Sequence, residues 1–356
     1  MLEELTIQSH EGPYKVTFTD LPLRDPAKLL EGNAHVLLDA NVARLYSERL
    51  GPIVSHARTI LIEATEENKS IDRLIPVMER LVEQRIRRGH TLVAIGGGIV
   101  QDIAAFISTV LLRGLRWRFV PTTLLAQADS CIGSKSSINL RDTKNILGTF
   151  HPPAEILLCS HLLDTLQERD IRSGIGEILK VHAIDSAAAY DRLSVDYDRL
   201  LTDRQVLLSY VRDALLIKQR YIEVDEFDRG ARNIFNYGHS FGHAIESATD
   251  FTVPHGIGVT LGMDIANLLA VKRNILPAKH AARMRPPLQK NYQAFARTRI
   301  PLDRFFEALL KDKKNTTTKL VLIFPVGEDA RIERVEVTPD DAFRSQCTEI
   351  LHGLGA

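Results

Sequence analysis

Short apolar, β-branched runs recur through the first 160 residues: AHVLLDA, RTILIEA, TLVAIGG, WRFVPTT and EILLCS. They alternate with segments whose apolar positions return every three or four residues, such as IDRLIPVMERLVEQRIRRG. Continuous apolar strands separated by amphipathic helices predict a parallel sheet covered on both faces. The opening stretch LTIQSHEGPYKVTFTD reads instead as a hairpin with its turn near Gly12-Pro13. From about Leu162 the pattern lengthens into DRQVLLSYVRDALLIKQRYIEVDE and HGIGVTLGMDIANLLAVKR, which predicts helices, with one late strand pair at KLVLIFP and RIERVEV. The expected division is an α/β domain over residues 1–161 and a mostly α-helical domain over 162–356. No internal repeat or low-complexity linker separates them. Two domains without a linker are expected to pack tightly, and the cleft between them is the default place for a site.

With 356 residues and 44% hydrophobic content, the chain has enough apolar material for two cores. Its 45 basic residues balance 45 acidic ones, so no overall field favours nucleic acid or an anionic membrane, and an anionic ligand must be held locally. The N-terminus MLEELTIQSHEG lacks a basic region followed by an apolar one, and TLVAIGGGIV is too short to span a bilayer. A cytoplasmic location is the expectation. Cys131, Cys159 and Cys347 are few, odd in number and far apart, which argues for reduced buried thiols and against thiolate zinc sites.

Candidate chemistry gathers in three places. Gly96-Gly97-Gly98 follows the strand TLVAI and opens the helical pattern IVQDIAAFISTVLL. Bare amides at a helix N-terminus suit a pyrophosphate, and equally a tight strand-to-helix turn; the spacing is not G-x-G-x-x-G. A polar stretch, VPTTLLAQADSCIGSKSSIN followed by DTKNILGTF, places Asp129, Lys135, Asn139, Lys144 and Asn145 in apolar surroundings. Finally, NYGHSFGHAIE sets His239 and His243 one helical turn apart on the same face. Gly238 and Gly242 each cost a helix roughly 1 kcal/mol relative to alanine, which points to a close approach of another backbone. Ser240 stands where a zinc protease needs glutamate. The pair is open to metal, catalytic and ordinary helical readings.

Taken in order, these segments resemble the dehydroquinate synthase family of NAD- and metal-dependent sugar-phosphate cyclases. The landmarks are Asp39-x-Asn41, Glu66-x-x-Lys69, the glycine triplet with Asp102, Arg113-Gly114, Pro121-Thr122-Thr123-Leu124-Leu125-Ala126-Gln127, Asp129 with Lys135, Lys144-Asn145, Glu177-x-x-Lys180, Lys218 with Asp225-Glu226, Arg232, NYGHSFGHAIE, His255-Gly256 and Asp312-Lys313-Lys314. They span nearly the whole chain. The resemblance implies a Rossmann-like α/β N-terminal domain, a mostly α-helical C-terminal domain and a homodimer.

By position, the resemblance assigns Glu177, His239 and His255 to a divalent metal, zinc or cobalt, with His243 on the substrate side assisting proton traffic. A carboxylate and two imidazoles suit zinc and leave positions open for substrate oxygens. NAD would be contacted by Asp39, Asn41, Glu66, Lys69, Gly97, Gly98, Asp102, Thr122, Thr123, Lys144 and Thr165. A sugar phosphate would be held by Lys135, Asn145, Asn236 and one lysine of Lys313-Lys314, written here as Lys314, with Arg113 reaching in from a neighbouring subunit. Lys218 and Arg232 would take a carboxylate, and Lys180 would lie close to the metal. Asp129, Lys135, Lys180, Asn236 and His243 form the catalytic set. The implied reaction is oxidation of an alcohol by NAD, elimination of phosphate, return of the hydride, ring opening and aldol closure. It would convert 3-deoxy-arabino-heptulosonate 7-phosphate to 3-dehydroquinate and phosphate, in the shikimate pathway of aromatic amino acid biosynthesis.

Two departures bear on the substrate. The family's usual Gly-Gly-Lys-Thr-Gly is Gly133-Ser134-Lys135-Ser136-Ser137 here, and the usual His-Gly-Glu-Ala is His255-Gly256-Ile257-Gly258. They leave open a cyclase for an amino analogue or for sedoheptulose 7-phosphate. Asn236, His243, Lys218 and Arg232 retain the dehydroquinate-type residue. A metal-dependent polyol dehydrogenase would share the glycine turn and the histidine pair but accumulate NADH, and a non-catalytic NAD-binding protein would not need the metal set.

Overall fold

The computed structural model describes residues 4–354 except 142, 313, 314 and 317. The chain divides into two compact units, one comprising residues up to Leu166 together with Lys218–Asp228, the other Gln167–Ile217 and the residues from Arg229 onward. A single boundary at 161/162 leaves Lys218–Asp228 with the second unit. The structure groups that segment with the first.

The first unit is built on strands β1 (Glu4–Ile7), β2 (Tyr14–Phe18), β3 (Ala34–Asp39), β4 (Thr59–Ile62), β5 (Thr91–Gly96), β6 (Arg116–Pro121), β7 (Ile138–Leu140), β8 (Thr143–Leu147) and β9 (Glu155–Leu158). Seven of these form one sheet in the order β1-β2-β9-β6-β5-β3-β4. Only the β1/β2 hairpin is antiparallel within it. Every residue of β5 is buried, as its unbroken apolar run requires of a strand covered on both faces. Val36, Leu38, Val93, Ile95, Val120 and Leu157 form the centre of the core on one of those faces. The chain leaves β3 toward β4 and then returns to the other side of β3 as β5, so the strand order reverses between β3 and β5. Their carboxyl ends border the crevice in which open α/β sheets bind ligands. β7 and β8 make a separate hairpin inside what reads as a polar loop.

The second unit is helical, with a ribbon of β10 (Leu320–Val326) and β11 (Arg331–Val337). Its centre is the helix His255–Lys272, buried on nearly every side. Helices Glu168–Asp185, His239–Ala248, Ala278–Tyr292 and Asp341–Gly353 pack around it. Amphipathic segments present their apolar stripe to such a centre, whereas a helix apolar all round must occupy it.

Candidate active site

In the second unit, three helices converge on one carboxylate. Glu177 lies inside Glu168–Asp185, while His239 and His255 are the first residues of His239–Ala248 and His255–Lys272. Glycine permits the approach. A Cβ on Gly242 would stand 2.9 Å from the backbone of Gly258, and one on Gly176 would stand 2.1 Å from the carbonyl oxygen of Gly256. The helix-weakening glycines of NYGHSFGHAIE are therefore the contact surface that lets His255–Lys272 pack against its neighbours.

Glu177 is 1% exposed. Its Oε1 lies 3.2 Å from His255 Nε2 and 3.6 Å from His239 Nε2, and its Oε2 lies 2.5 Å from Lys180 Nζ. Nitrogen atoms of His239, His243 and His255 all fall within 4.8 Å of one another. Distance alone therefore does not separate His243 from the other two, but exposure does, since His243 is open to solvent. His239 Nδ1 faces the carbonyl of Tyr237 at 3.3 Å, and His255 Nδ1 faces Glu246 Oε1 at 2.9 Å, so both Nε2 atoms turn toward Glu177.

The electrostatics suit a cation. Burial opposes ionisation of Glu177, yet the Lys180 ammonium and then His255 hold its carboxyl well below the usual carboxylate range. Burial likewise opposes an imidazolium at His255, but the carboxylates of Glu246 and Glu177 push its pKa up to about 10. The negative field that favours a proton on this ring equally favours a divalent ion, which would displace that proton. Neither buried oxygen of Glu177 completes a hydrogen bond of good geometry among the described residues. One carboxylate and two imidazoles with Nε2 turned inward fit zinc.

The turn Ala231–Asn236 carries Arg232, which is buried, and Asn236, whose Nδ2 donates to Asn233 O at 3.0 Å. Phe235 of this turn lies under Lys180 Nζ, 5.5 Å from the ring centre. The structure thus gathers Glu177, Lys180, His239, His243 and His255, with the turn bearing Arg232 and Asn236 alongside.

The other predicted residues lie in the first unit, except Lys314, which falls outside the described residues. Asp39 ends β3, where Leu38 pairs with Ile95, one residue before Gly96. Its Oδ1 accepts from Asn41 N at 2.8 Å, and Asn41 Oδ1 accepts from Arg44 Nη2 at 2.6 Å. Gly97 precedes the helix Gly98–Val110, and a Cβ there would stand 3.0 Å from Thr123 Cγ2. Thr122 N donates to Gly96 O at 2.9 Å. Asp39, Gly97, Gly98, Thr122 and Thr123 thus line the carboxyl ends of β3, β5 and β6. Lys69 Nζ donates to Asp102 Oδ2 at 3.0 Å and lies 4.0 Å from Glu66. Thr165 donates to the Tyr46 hydroxyl at 3.2 Å.

Lys218 is buried and donates to Asp129 O at 2.5 Å, with Asp129 Oδ1 at 3.2 Å. Lys135 forms a direct ion pair with Asp228. Asn145 N donates to Asn139 Oδ1 at 2.8 Å, and Asn139 in turn donates to Glu66 Oε1 at 2.9 Å. Lys144 and Arg113 are exposed. Arg113 and Leu112 both have left-handed backbones, with φ of 63° and 57°. Sequence patterning assigns no role to Asn139 in the polar stretch, to Glu246 at the end of the histidine motif, or to Asp228, two positions after Asp225-Glu226. A pocket of roughly 530 Å³ in the second unit, lined by Val253, Phe295, Arg299, Leu302 and Leu351 among others, contains none of the predicted residues.

Residues 59–173 match the family model described as 3-dehydroquinate synthase N-terminal, and residues 174–315 match its C-terminal counterpart. The chain is 34% identical over 307 residues to the 3-dehydroquinate synthase of Rhizobium meliloti strain 1021, covering 82% of this chain and 81% of that one. Against the 3-dehydroquinate synthase of Helicobacter pylori strain G27 it is 32% identical over 331 residues, covering 92% and 93%. Among solved structures, 2-epi-5-epi-valiolone synthase from Streptomyces hygroscopicus, with NAD+ and Zn2+ bound, superposes with a TM-score of 0.82 at 25% identity, covering 96% of both chains. Both domain models match in order and the relatives align over most of their length, so the chain belongs to the 3-dehydroquinate synthase family.

Proposed function

We propose that this protein is a phosphate-eliminating sugar-phosphate cyclase that forms 3-dehydroquinate from 3-deoxy-arabino-heptulosonate 7-phosphate, using NAD and a zinc or cobalt ion. The observation that carries the reading is the buried carboxylate of Glu177 facing His239 and His255 within 3.6 Å. Those three residues would hold the metal. When bound, the ion supplies Lewis acidity toward substrate hydroxyls and NAD supplies a reversible hydride acceptor.

The chain's own residues do the rest. Lys180 balances the buried charge of Glu177 and keeps it ionised for ligation. His243, exposed beside the other two imidazoles, is suited to moving a proton at its ring nitrogen. In the first unit, Asp39, Asn41, Glu66, Lys69, Gly97, Gly98, Asp102, Thr122, Thr123, Lys144 and Thr165 are assigned to NAD. Glu66, with Lys69, is assigned to the ribose, where an acid suits a hydroxyl and disfavours a 2′-phosphate. Lys135, Asn145, Asn236 and Lys314 are assigned to phosphate, and Lys218 and Arg232 to carboxylate. An arginine fork and a compact lysine charge at these two positions suit a planar carboxylate, which favours a carboxylate substrate over one with a neutral hydroxymethyl group. No helix among the described residues is long and apolar enough to cross a membrane. A cytoplasmic homodimer completes the reading.

The test offers the carboxylate substrate and sedoheptulose 7-phosphate separately, with NAD and zinc, and follows phosphate release, the ring product and NADH absorbance. Turnover of the carboxylate substrate without net NADH is expected. Arg232→Ala should weaken it by on the order of 2 to 5 kcal/mol in transition-state terms. Cyclisation of sedoheptulose 7-phosphate alone would overturn the substrate assignment, and steady NADH accumulation would overturn the cyclase reading.

A further inference from the structure

Glu246 belongs to none of the sets above, yet it is 8% exposed and its carboxylate meets a histidine side chain. His239, His243 and Glu246 occupy positions i, i+4 and i+7 of one helix and therefore share a face. Across from that face, Glu246 Oε1 lies 2.9 Å from His255 Nδ1, while the opposite ring nitrogen, Nε2, lies 3.2 Å from Glu177 Oε1. In a neutral imidazole one nitrogen carries the proton and the other the lone pair. A carboxylate at Nδ1 accepts only, so it keeps the proton on Nδ1 and the lone pair on Nε2. The helix that carries His239 thus also orients His255.

We propose that Glu246 is the positioning residue for His255, holding its ring and its tautomer so that Nε2 is presented to the metal beside Glu177. The inference rests on the metal assignment made above. The two histidines are supported unequally. His239 Nδ1 faces the neutral carbonyl of Tyr237 at 3.3 Å, whereas His255 Nδ1 faces a carboxylate at 2.9 Å. A carboxylate partner raises the basicity of a ligating imidazole more than a carbonyl does. The carboxylate lies over Gly258, where a Cβ would stand 3.4 Å from Oε1. An alanine at 258 would meet that carboxylate in ordinary van der Waals contact.

The measurement is the zinc dissociation constant of the full-length protein, by competition with a chromophoric chelator, for the wild type, Glu246→Ala, Glu246→Gln, His255→Ala and the Glu246→Ala/His255→Ala double variant. Circular dichroism of each zinc-free protein checks folding. Glu246→Ala should weaken zinc binding about 10- to 100-fold. Glu246→Gln, which keeps an acceptor oxygen and loses the charge, should weaken it roughly three- to tenfold. In the His255→Ala background the same Glu246→Ala change should alter affinity less than about twofold, because its effect passes through the ring. Equal losses in both backgrounds, or Glu246→Ala within about twofold of wild type, would overturn the proposal. Should Glu246→Ala not fold, Glu246→Gln within about twofold of wild type overturns it as well. A wild type that binds no zinc, or His255→Ala binding like the wild type, refutes the metal assignment instead.

Discussion

Gly256 sits so close to Ser173 that a Cβ on it would lie 1.8 Å from the Ser173 carbonyl oxygen, while Gly256 N donates to Ser173 Oγ at 3.0 Å. The contact locks the first turn of the helix that begins with His255 against the helix that carries Glu177. Gly256→Ala cannot be accommodated without parting these backbones. We expect it to cost about 2 to 4 kcal/mol of stability and most of the bound zinc. Gly258→Ala meets Gly242 O at 3.2 Å and should cost no more than about 1 kcal/mol. Urea unfolding of both variants reads the difference, and equal stabilities would show that the crossing yields.

His239→Ala removes one imidazole from the proposed metal set and should abolish turnover and stoichiometric zinc. Full metal occupancy in that variant would refute the assignment. Glu177→Ala should be worse for folding than for binding alone. It leaves Lys180, 2% exposed, as a buried cation without its carboxylate, and breaking such a pair costs about 3 to 5 kcal/mol. Thermal melts should therefore rank Glu177→Ala well below His239→Ala.

Chelation should lower the melting temperature of the wild type and silence it, with both restored by zinc. A ligand that binds only the folded state contributes about 2.7 kcal/mol at a hundredfold excess over its dissociation constant. The same titration on His239→Ala should leave the melting temperature flat. An equal rise in that variant would place the stabilising ion elsewhere.

Arg113 is exposed on two consecutive left-handed residues, a conformation that disfavours β-substituted side chains and is retained where the surroundings demand it. We propose that it serves the phosphate site of a partner subunit. Mixing Arg113→Ala with Lys135→Ala protein should recover activity once subunits exchange. Demonstrated heterodimers with no recovery would count against sharing between subunits.

The three cysteines are buried, and burial pushes the thiols of Cys131 and Cys347 up to about 12 and raises that of Cys159. The reactive thiolate is therefore scarce at pH 8. A thiol-specific disulfide reagent should find almost no reactive sulfur in the native protein and three per chain in denaturant. Rapid native labelling at pH 8 would show that one of the thiols is reached from solvent.

Local patterning was enough for much of the fold. The five apolar runs became β3, β4, β5, β6 and β9, the Gly12-Pro13 stretch became the β1/β2 turn, and KLVLIFP and RIERVEV paired as β10 and β11. These elements depend on residue spacing of 2 or 3.6, which is written in consecutive positions. The β7/β8 hairpin escaped such reading because β8 is exposed along most of its length and carries no alternation. The histidine pair was legible for the same reason that the strands were, as a short-range spacing on one helix face.

The sequence alone determined which residues could do chemistry, and the tertiary structure decided which of them meet. Lys135 and Asp228 pair across 93 positions. Lys218 reaches Asp129, Gln219 reaches Thr6 and Glu223 reaches Gln8, which draws the end of one continuous amphipathic helix, Arg204–Val224, into the first unit. Glu246 finds His255 where Gly242, whose Cβ would stand 2.9 Å from the Gly258 backbone, lets two helices cross in contact. Periodicity reports the face a residue occupies relative to its own helix or strand. Whether a distant carboxylate arrives at that face depends on how closely two backbones can approach, a steric condition set jointly by residues far apart in the chain.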